Sequence, residues 1–304
     1  MSFKSSFAHT LVIFIIALCL LLFSSSILYF LVFGFPDTLV KKFPQNLSQN
    51  LSQTILQKPN PPNISAKYAI VIDGDTLEIL YEKNSHEKAY PASITKIMTA
   101  LIAIETLEKY ESPPSQLVTV SPGAVGIEGS SIYLSAGELL PLQDLLFGMM
   151  LRSGNDAATA ISMIIGGNTT NFAQMMNERA HEIGCTNTNF VNPHGLFDEN
   201  HYTSAYDMAL ISAEAMKFSL FRDIAAAKDY TGNRAPDKYN YFYNKNKVVH
   251  QYEGGTGIKI GYTQKSGRTL VASASKNDRN LICVVMSAPD WFNDAYTLFD
   301  FYFN

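Results

Sequence analysis

The feature that most restricts the fold of this chain is where its two hydrophobic periodicities fall. Strand-like alternation stands at both ends of the globular portion, and helical spacing fills the middle. Tyr68–Asp73 (YAIVID) alternates as a strand, Gly74 and Asp75 supply a turn, and residues 77–81 return, which predicts a hairpin. Residues 97–109, 141–151, 157–165, 171–183 and 204–217 carry apolar residues at helical spacing, the last opened by Ser204 and Asp207 as a capping box. Strand-like runs resume at 256–262, 268–275 and 281–287, separated by glycine or Asn-Asp turns, and an aromatic helix closes the chain at 291–303. Runs at opposite ends of a domain satisfy their backbone groups by pairing with one another. The pattern therefore predicts an α/β chain of the α+β kind, with an antiparallel sheet built from both ends, a helical lobe, and a cleft between them.

Composition removes several function classes. With 47% hydrophobic residues the 304-residue chain can bury a substantial core. Lys and Arg number 23 against 27 Asp and Glu, a net charge of −4, so no basic stripe exists to neutralise phosphates and no nucleic-acid partner is expected. Cys19, Cys185 and Cys283 are too few and too scattered for a disulfide framework or a Cys-x-x-Cys metal site. His181, Cys185, His194 and His201 crowd one region without a standard zinc spacing, so no metal is expected and His194 reads as a loop-shaping residue.

Residues 11–35 carry no ionisable group except Cys19 and Tyr29. As a helix this run reaches about 37 Å, against a hydrocarbon core of about 30 Å. A cleaved signal peptide is the competing reading, but the run exceeds the usual signal core of about 7–15 residues. The expectation is a cytoplasmic segment 1–10, a transmembrane signal-anchor 11–35, an extracellular Asn/Gln/Ser/Pro-rich linker 36–66 and a catalytic domain 67–304. Lys4 on one side of the run and Lys41 and Lys42 on the other leave orientation undecided by charge.

Three short motifs bear chemistry. Ser93-Ile94-Thr95-Lys96 puts a hydroxyl and an amine on one helical face, where a lysine of depressed pKa can act as base for a serine nucleophile. Alone, it reads equally as a capping serine with a solvated lysine. Ser153-Gly154-Asn155 sets a hydroxyl and an amide on a tight turn, able to relay a proton and orient a substrate amide, or simply to cap a helix. Lys259-Ile260-Gly261-Tyr262 lies on a strand, with a lysine able to enter the cleft and a glycine able to admit a substrate backbone. A strand lysine can also be no more than an edge guard.

In this order the three motifs resemble the set shared by penicillin-binding proteins and class A β-lactamases. The segments YEKNSHEKAYPASITKIMTALIAIE, GSSIYLSAGELLPLQDLLFGMMLRSGNDAATAIS, FVNPHGLFDENHYTSAYDMALIS and GIKIGYTQKSGRTLVASA are similar to the low-molecular-mass D-alanyl-D-alanine carboxypeptidases. The resemblance implies the serine β-lactamase/penicillin-binding-protein-like transpeptidase fold and an enzyme without metal or cofactor. It also implies that Ser93 attacks the penultimate D-alanine carbonyl of a peptidoglycan pentapeptide stem ending in D-Ala-D-Ala, with Lys96 as base. Ser153 would relay the proton to the leaving amine, Asn155 would bind the substrate amide, Lys259 would attract the terminal carboxylate, and the N–H groups of Ser93 and Tyr262 would form an oxyanion hole. β-Lactams would acylate Ser93. The catalytic domain would then face the wall, outside a bacterial cytoplasmic membrane crossed once.

Two departures stand out. The third motif is usually Lys-Thr-Gly, and Ile260 cannot donate the threonine's hydrogen bond, a loss of about 1.5–3 kcal/mol or roughly 10- to 150-fold; Thr263 is a candidate to compensate. The β-rich domain and C-terminal amphipathic helix of many related enzymes do not follow within this sequence. Two other readings remain. A β-lactamase lacks support because no Glu-x-x-Leu-Asn segment follows Ser153, and a non-catalytic wall-binding protein is motivated by Ile260 but opposed by the retention of Ser93, Lys96, Ser153, Asn155 and Lys259.

Overall fold

A computed structural model describes residues 60–304. The expected anchor and most of the expected linker lie outside those residues. No helix among the described residues is long and apolar enough to cross a membrane.

The two ends of the sequence meet in one sheet. Strand β1 (Tyr68–Asp73) pairs antiparallel on one side with β2 (Ile79–Lys83) and on the other with β9 (Arg279–Met286). Strands β8 (Gly267–Lys276) and β7 (Gly255–Thr263) extend it, in the order β2-β1-β9-β8-β7, which leaves β7 as an edge. The hairpin return starts two residues later than the apolar pattern predicts. Asp73 Oδ1 accepts from Asp75 N, Thr76 N and Thr76 Oγ1, and this closed turn holds Leu77 at φ 64° and delays pairing to Ile79.

Between β2 and β7 runs the helical lobe. It comprises α1 (Lys96–Lys109), α2 (Leu142–Leu151), α3 (Asn155–Gly166), α4 (Thr169–Ile183), α5 (Ala205–Ala215), α6 (Ser219–Ala226) and α7 (Val248–Gln251). Two ribbons, β3 (Leu117–Thr119) with β4 (Leu139–Pro141) and β5 (Asp229–Thr231) with β6 (Tyr241–Tyr243), were not foreseen, since three-residue strands are too short to show a period. The capping box at α5 is half formed: Ser204 Oγ accepts from Asp207 N, but the Asp207 carboxylate accepts from Asn187 N and Thr188 Oγ1 instead.

Period-two alternation divides the core. Ile70, Ile72, Val271, Ile282 and Val284 face the helical lobe, where α1, buried along nearly its whole length, forms the axis. Ala69, Val71, Leu270, Ala272, Cys283 and Val285 face the other way, under Phe292, Ala295, Leu298 and Phe299 of the C-terminal helix α8 (Trp291–Phe303). The aromatic helix is thus a layer of the core. Packing also begins before the predicted start of the domain: Ile64 and Ala66 are buried, and Ser65 donates from N and Oγ to the Asp294 carboxylate on α8, so residues 64–66 of the expected linker belong to the folded body.

Candidate active site

Ser93 does not sit on an α-helix. It lies in a 3-10 turn, Ala92–Thr95, that feeds directly into α1. In a 3-10 turn residues i and i+3 eclipse, which brings Ser93 and Lys96 together more directly than α-helical spacing does. Ala92 enters the turn at φ 51°, in the left-handed region, and three hooks fix it there. Thr95 Oγ1 donates to Ala92 O at 2.8 Å, and Thr269 Oγ1 of β8 donates to Pro91 O at 2.9 Å. His201 supplies the third. Its Nδ1 accepts from Val191 N at 3.0 Å, which leaves the proton on Nε2 to donate to Thr95 Oγ1 at 2.8 Å.

Lys96 is fully buried, and its Nζ meets three oxygens: Ser93 Oγ at 3.1 Å, Asn155 Oδ1 at 2.7 Å and the His194 carbonyl at 2.6 Å. Two of these are carbonyl-type oxygens that can only accept. A neutral amine satisfies both with its two N–H groups and turns its lone pair to the third direction, where the Ser93 hydroxyl lies. Burial is the first cause that holds the Lys96 pKa well below its ordinary value, and the charge of Lys259 is the second; Asp156 opposes them. Burial and the nearby Lys245 lower Lys259 itself to about 7.

Asn155 is the first residue of α3, and the capping position falls to Gly154. Both ends of its amide are engaged by protein, Oδ1 by Lys96 and Nδ2 by donation to Glu128 O at 2.6 Å. In this arrangement it aligns Lys96. The loop that carries Glu128 is wrapped onto the start of α3 by Asp156, whose carboxylate accepts from Ser131 Oγ, Ile132 N and Leu134 N. Ser153 is buried at φ 64° beside this junction, and among the described residues its hydroxyl makes no hydrogen bond.

Of the third motif, Lys259 is 2% exposed and donates to Ile260 O, close enough to Lys96 to depress its pKa but not bonded to it. A Cβ on Gly261 would lie 2.7 Å from Ser93 N and 2.5 Å from Thr269 Oγ1. The missing side chain therefore admits the nucleophile turn to the strand. Tyr262 follows with its ring 66% exposed. Ile260 pairs with Leu270 and packs half-buried against the core under α8, on the sheet face opposite Lys259. Thr263 is not free to replace the lost threonine: its Oγ1 bonds Ser266 Oγ at 2.7 Å and accepts from Ser266 N. The compensation expected from it is withdrawn for that reason.

Sequence reasoning passed over His201, Thr269 and Lys245. Lys245 stands at the cleft mouth, its pKa lowered first by partial burial of its amine and then by the charge of Arg152. His201 and Thr269 lie inside family-like segments and Lys245 outside them, but only their distance to the site in space gives the three a role. The rim is braced by Arg234, whose side chain is fully buried. It bonds Glu138 through Nε and Nη2 and donates to Ile132 O, Tyr133 O and Tyr239 O. Arg234→Ala would leave the Glu138 charge and three carbonyls without their partner. A loss of about 3–5 kcal/mol is expected in denaturant unfolding.

The protein named D-alanyl-D-alanine carboxypeptidase DacF of Bacillus subtilis is 40% identical over 224 residues, 73% of this chain and 57% of that protein. The crystal structure of penicillin binding protein 5 from Haemophilus influenzae superposes with a TM-score of 0.75 at 32% identity, covering 81% of this chain and 72% of that one. A Streptomyces DD-transpeptidase gives a TM-score of 0.74 at 27% identity, covering 80% and 99%. The chain spans 57% and 59% of the length of the first two curated relatives it matches. The fold is thus the penicillin-binding-protein transpeptidase fold. With a family model described as D-alanyl-D-alanine carboxypeptidase matching residues 55–290, the chain belongs to that family of peptidases.

Proposed function

We propose that this protein is a serine D-Ala-D-Ala carboxypeptidase that removes the terminal D-alanine from peptidoglycan stem peptides and is acylated by penicillins. One observation carries the reading: a buried, charge-depleted Lys96 amine 3.1 Å from the hydroxyl of Ser93, with its two other directions closed by carbonyl oxygens. Lys96 takes the Ser93 proton as Oγ adds to the penultimate carbonyl. The developing oxyanion sits between the main chains of Ser93 and Tyr262, and the proton passes by way of Ser153 to the departing D-alanine nitrogen. Lys259, with Lys245 outside it, draws the terminal carboxylate into the cleft. Water then hydrolyses the Ser93 ester.

The same reading sets the location. The substrate lies outside the cytoplasmic membrane, so residues 11–35 serve as the anchor and residues 36–63 as the tether that carries the domain toward the wall. Full-length protein in detergent is expected to release D-alanine from diacetyl-Lys-D-Ala-D-Ala and to form a stable adduct with a fluorescent penicillin. Ser93→Ala is expected to do neither. A folded parent protein that releases no D-alanine and takes no label would shift the assignment to wall binding without hydrolysis.

A further inference from the structure

Beyond Tyr262, the edge strand β7 opens into a cavity of about 490 Å³ lined by Tyr262, Gly267, Arg268, Ser287, Pro289 and Trp291. It lies outside the Ser93 and Lys96 machinery. Arg268 pairs with Tyr262 across β7 and β8 and is exposed. Its Nη1 donates to Pro289 O at 2.5 Å, and no carboxylate among the described residues lies within 4 Å of the guanidinium. The nearest acidic residue in sequence on that rim, Asp290, accepts from Asn293 Nδ2 at 2.9 Å instead. The cavity therefore presents an arginine fork with donors to spare between two aromatic walls, Tyr262 and Trp291.

The direction of a substrate follows from charge. Ser93 abuts β7 at Gly261. On one side along the strand stands Lys259, toward which a C-terminal carboxylate is drawn; on the other stand Tyr262 and the cavity. A peptide added to the β7 edge with its terminal carboxylate at Lys259 must send its acyl arm past Tyr262. A guanidinium reads a carboxylate in bidentate fashion, and aromatic faces cover an aliphatic stem.

We infer that this cavity is a subsite for the side chain of the residue preceding the attacked D-alanine, and that Arg268 selects a side chain ending in a carboxylate. The inference rests on the proposed carboxypeptidase reading and adds a substrate preference to it. Because Trp291 is the sole tryptophan of the sequence, its fluorescence reports occupancy directly.

The test uses full-length Ser93→Ala protein in detergent, titrated with diacetyl-Lys-D-Ala-D-Ala and with the diacetyl-diaminopimelyl analogue, which adds one carboxylate at the end of the lysine side chain. The analogue is expected to bind about tenfold more tightly and to perturb Trp291 fluorescence, and Arg268→Gln is expected to bring the two affinities within about twofold. Equal affinities in the Arg268 protein, a preference that survives Arg268→Gln, or binding of neither peptide would overturn the subsite. D-alanine release, measured in parallel with Ser93 intact, separates the two readings. Release without carboxylate preference refutes the subsite and leaves the carboxypeptidase standing. An Arg268-dependent fluorescence response without release supports the subsite on a protein that binds stem peptides and does not hydrolyse them.

Discussion

Replacing Lys96 with methionine is expected to slow acylation of Ser93 by about 10²–10⁴-fold, the usual range for loss of a general base. Methionine fills the stem's volume and buries no charge but leaves Asn155 Oδ1 and the His194 carbonyl without their donor, so some loss of stability is expected, and an unchanged far-ultraviolet circular dichroism spectrum would show that the helical lobe remains intact. The stopped or manual rate of fluorescent-penicillin labelling gives the acylation constant. A rate within threefold of the parent would mean that another group takes the Ser93 proton.

The pH profile separates a base from a mere filler of space. Acylation requires Lys96 neutral, and its pKa is held well below the ordinary lysine value by burial first and by Lys259 second. kcat/KM should therefore rise with pH through that lowered value. Attraction of the substrate carboxylate requires Lys259 charged, and its pKa lies at about 7 in the free protein, so kcat/KM should decline as pH climbs past that point. In Lys96→Met the acid limb should disappear while the alkaline limb stays.

How much of this was legible in the sequence depends on how far each contact reaches along the chain. Ser93 and Lys96 are three residues apart, so their meeting is a local fact that any helical turn delivers. That both ends of the domain build one sheet followed from the strand-like runs in YAIVID and in the last three strands. The hooks on the nucleophile turn did not follow, because Thr269 reaches Pro91 across 178 residues and His201 reaches Thr95 across 106. Neither hydroxyl nor imidazole carries a local signature of its partner. Asn155 was legible as a site residue, but its work of aligning Lys96 depends on Glu128 O closing the other end of its amide. Ile260 was read as a loss from the cleft. Strand alternation, applied one step further, puts its side chain against the α8 layer once Lys259 is assigned to the cleft.

Gly261→Ala is the second substitution expected to have a large effect, and its logic is steric. The added Cβ would stand 2.7 Å from Ser93 N, 2.5 Å from Thr269 Oγ1 and 3.1 Å from Ala92 Cβ. A flexible side-chain tip could swing aside, but Ser93 N is main chain in a turn held by Thr95, Thr269 and His201. Either the turn retreats from β7 or the strand edge does. Both move Ser93 from the main chain of Tyr262, the second proposed oxyanion donor, and a displacement near 1 Å costs about 100-fold in rate. Penicillin labelling and D-alanine release should fall together by at least that factor, with little change in the far-ultraviolet circular dichroism. Gly195 supports the argument from the opposite wall. At φ 88° it packs over Ala92, and a Cβ there would overlap the Ala92 carbonyl outright. The Ser93 turn is thus clamped between two glycines, one on the sheet edge and one on the loop that delivers the His194 carbonyl to Lys96. Adding Thr269→Ala to Gly261→Ala removes the side-chain clash, and with it the hook on Pro91 O, but leaves the clash with Ser93 N. The double variant should remain as slow as the single one. Recovery to within threefold of the parent would show that Thr269 Oγ1, and not the Ser93 main chain, sets the limit on this approach.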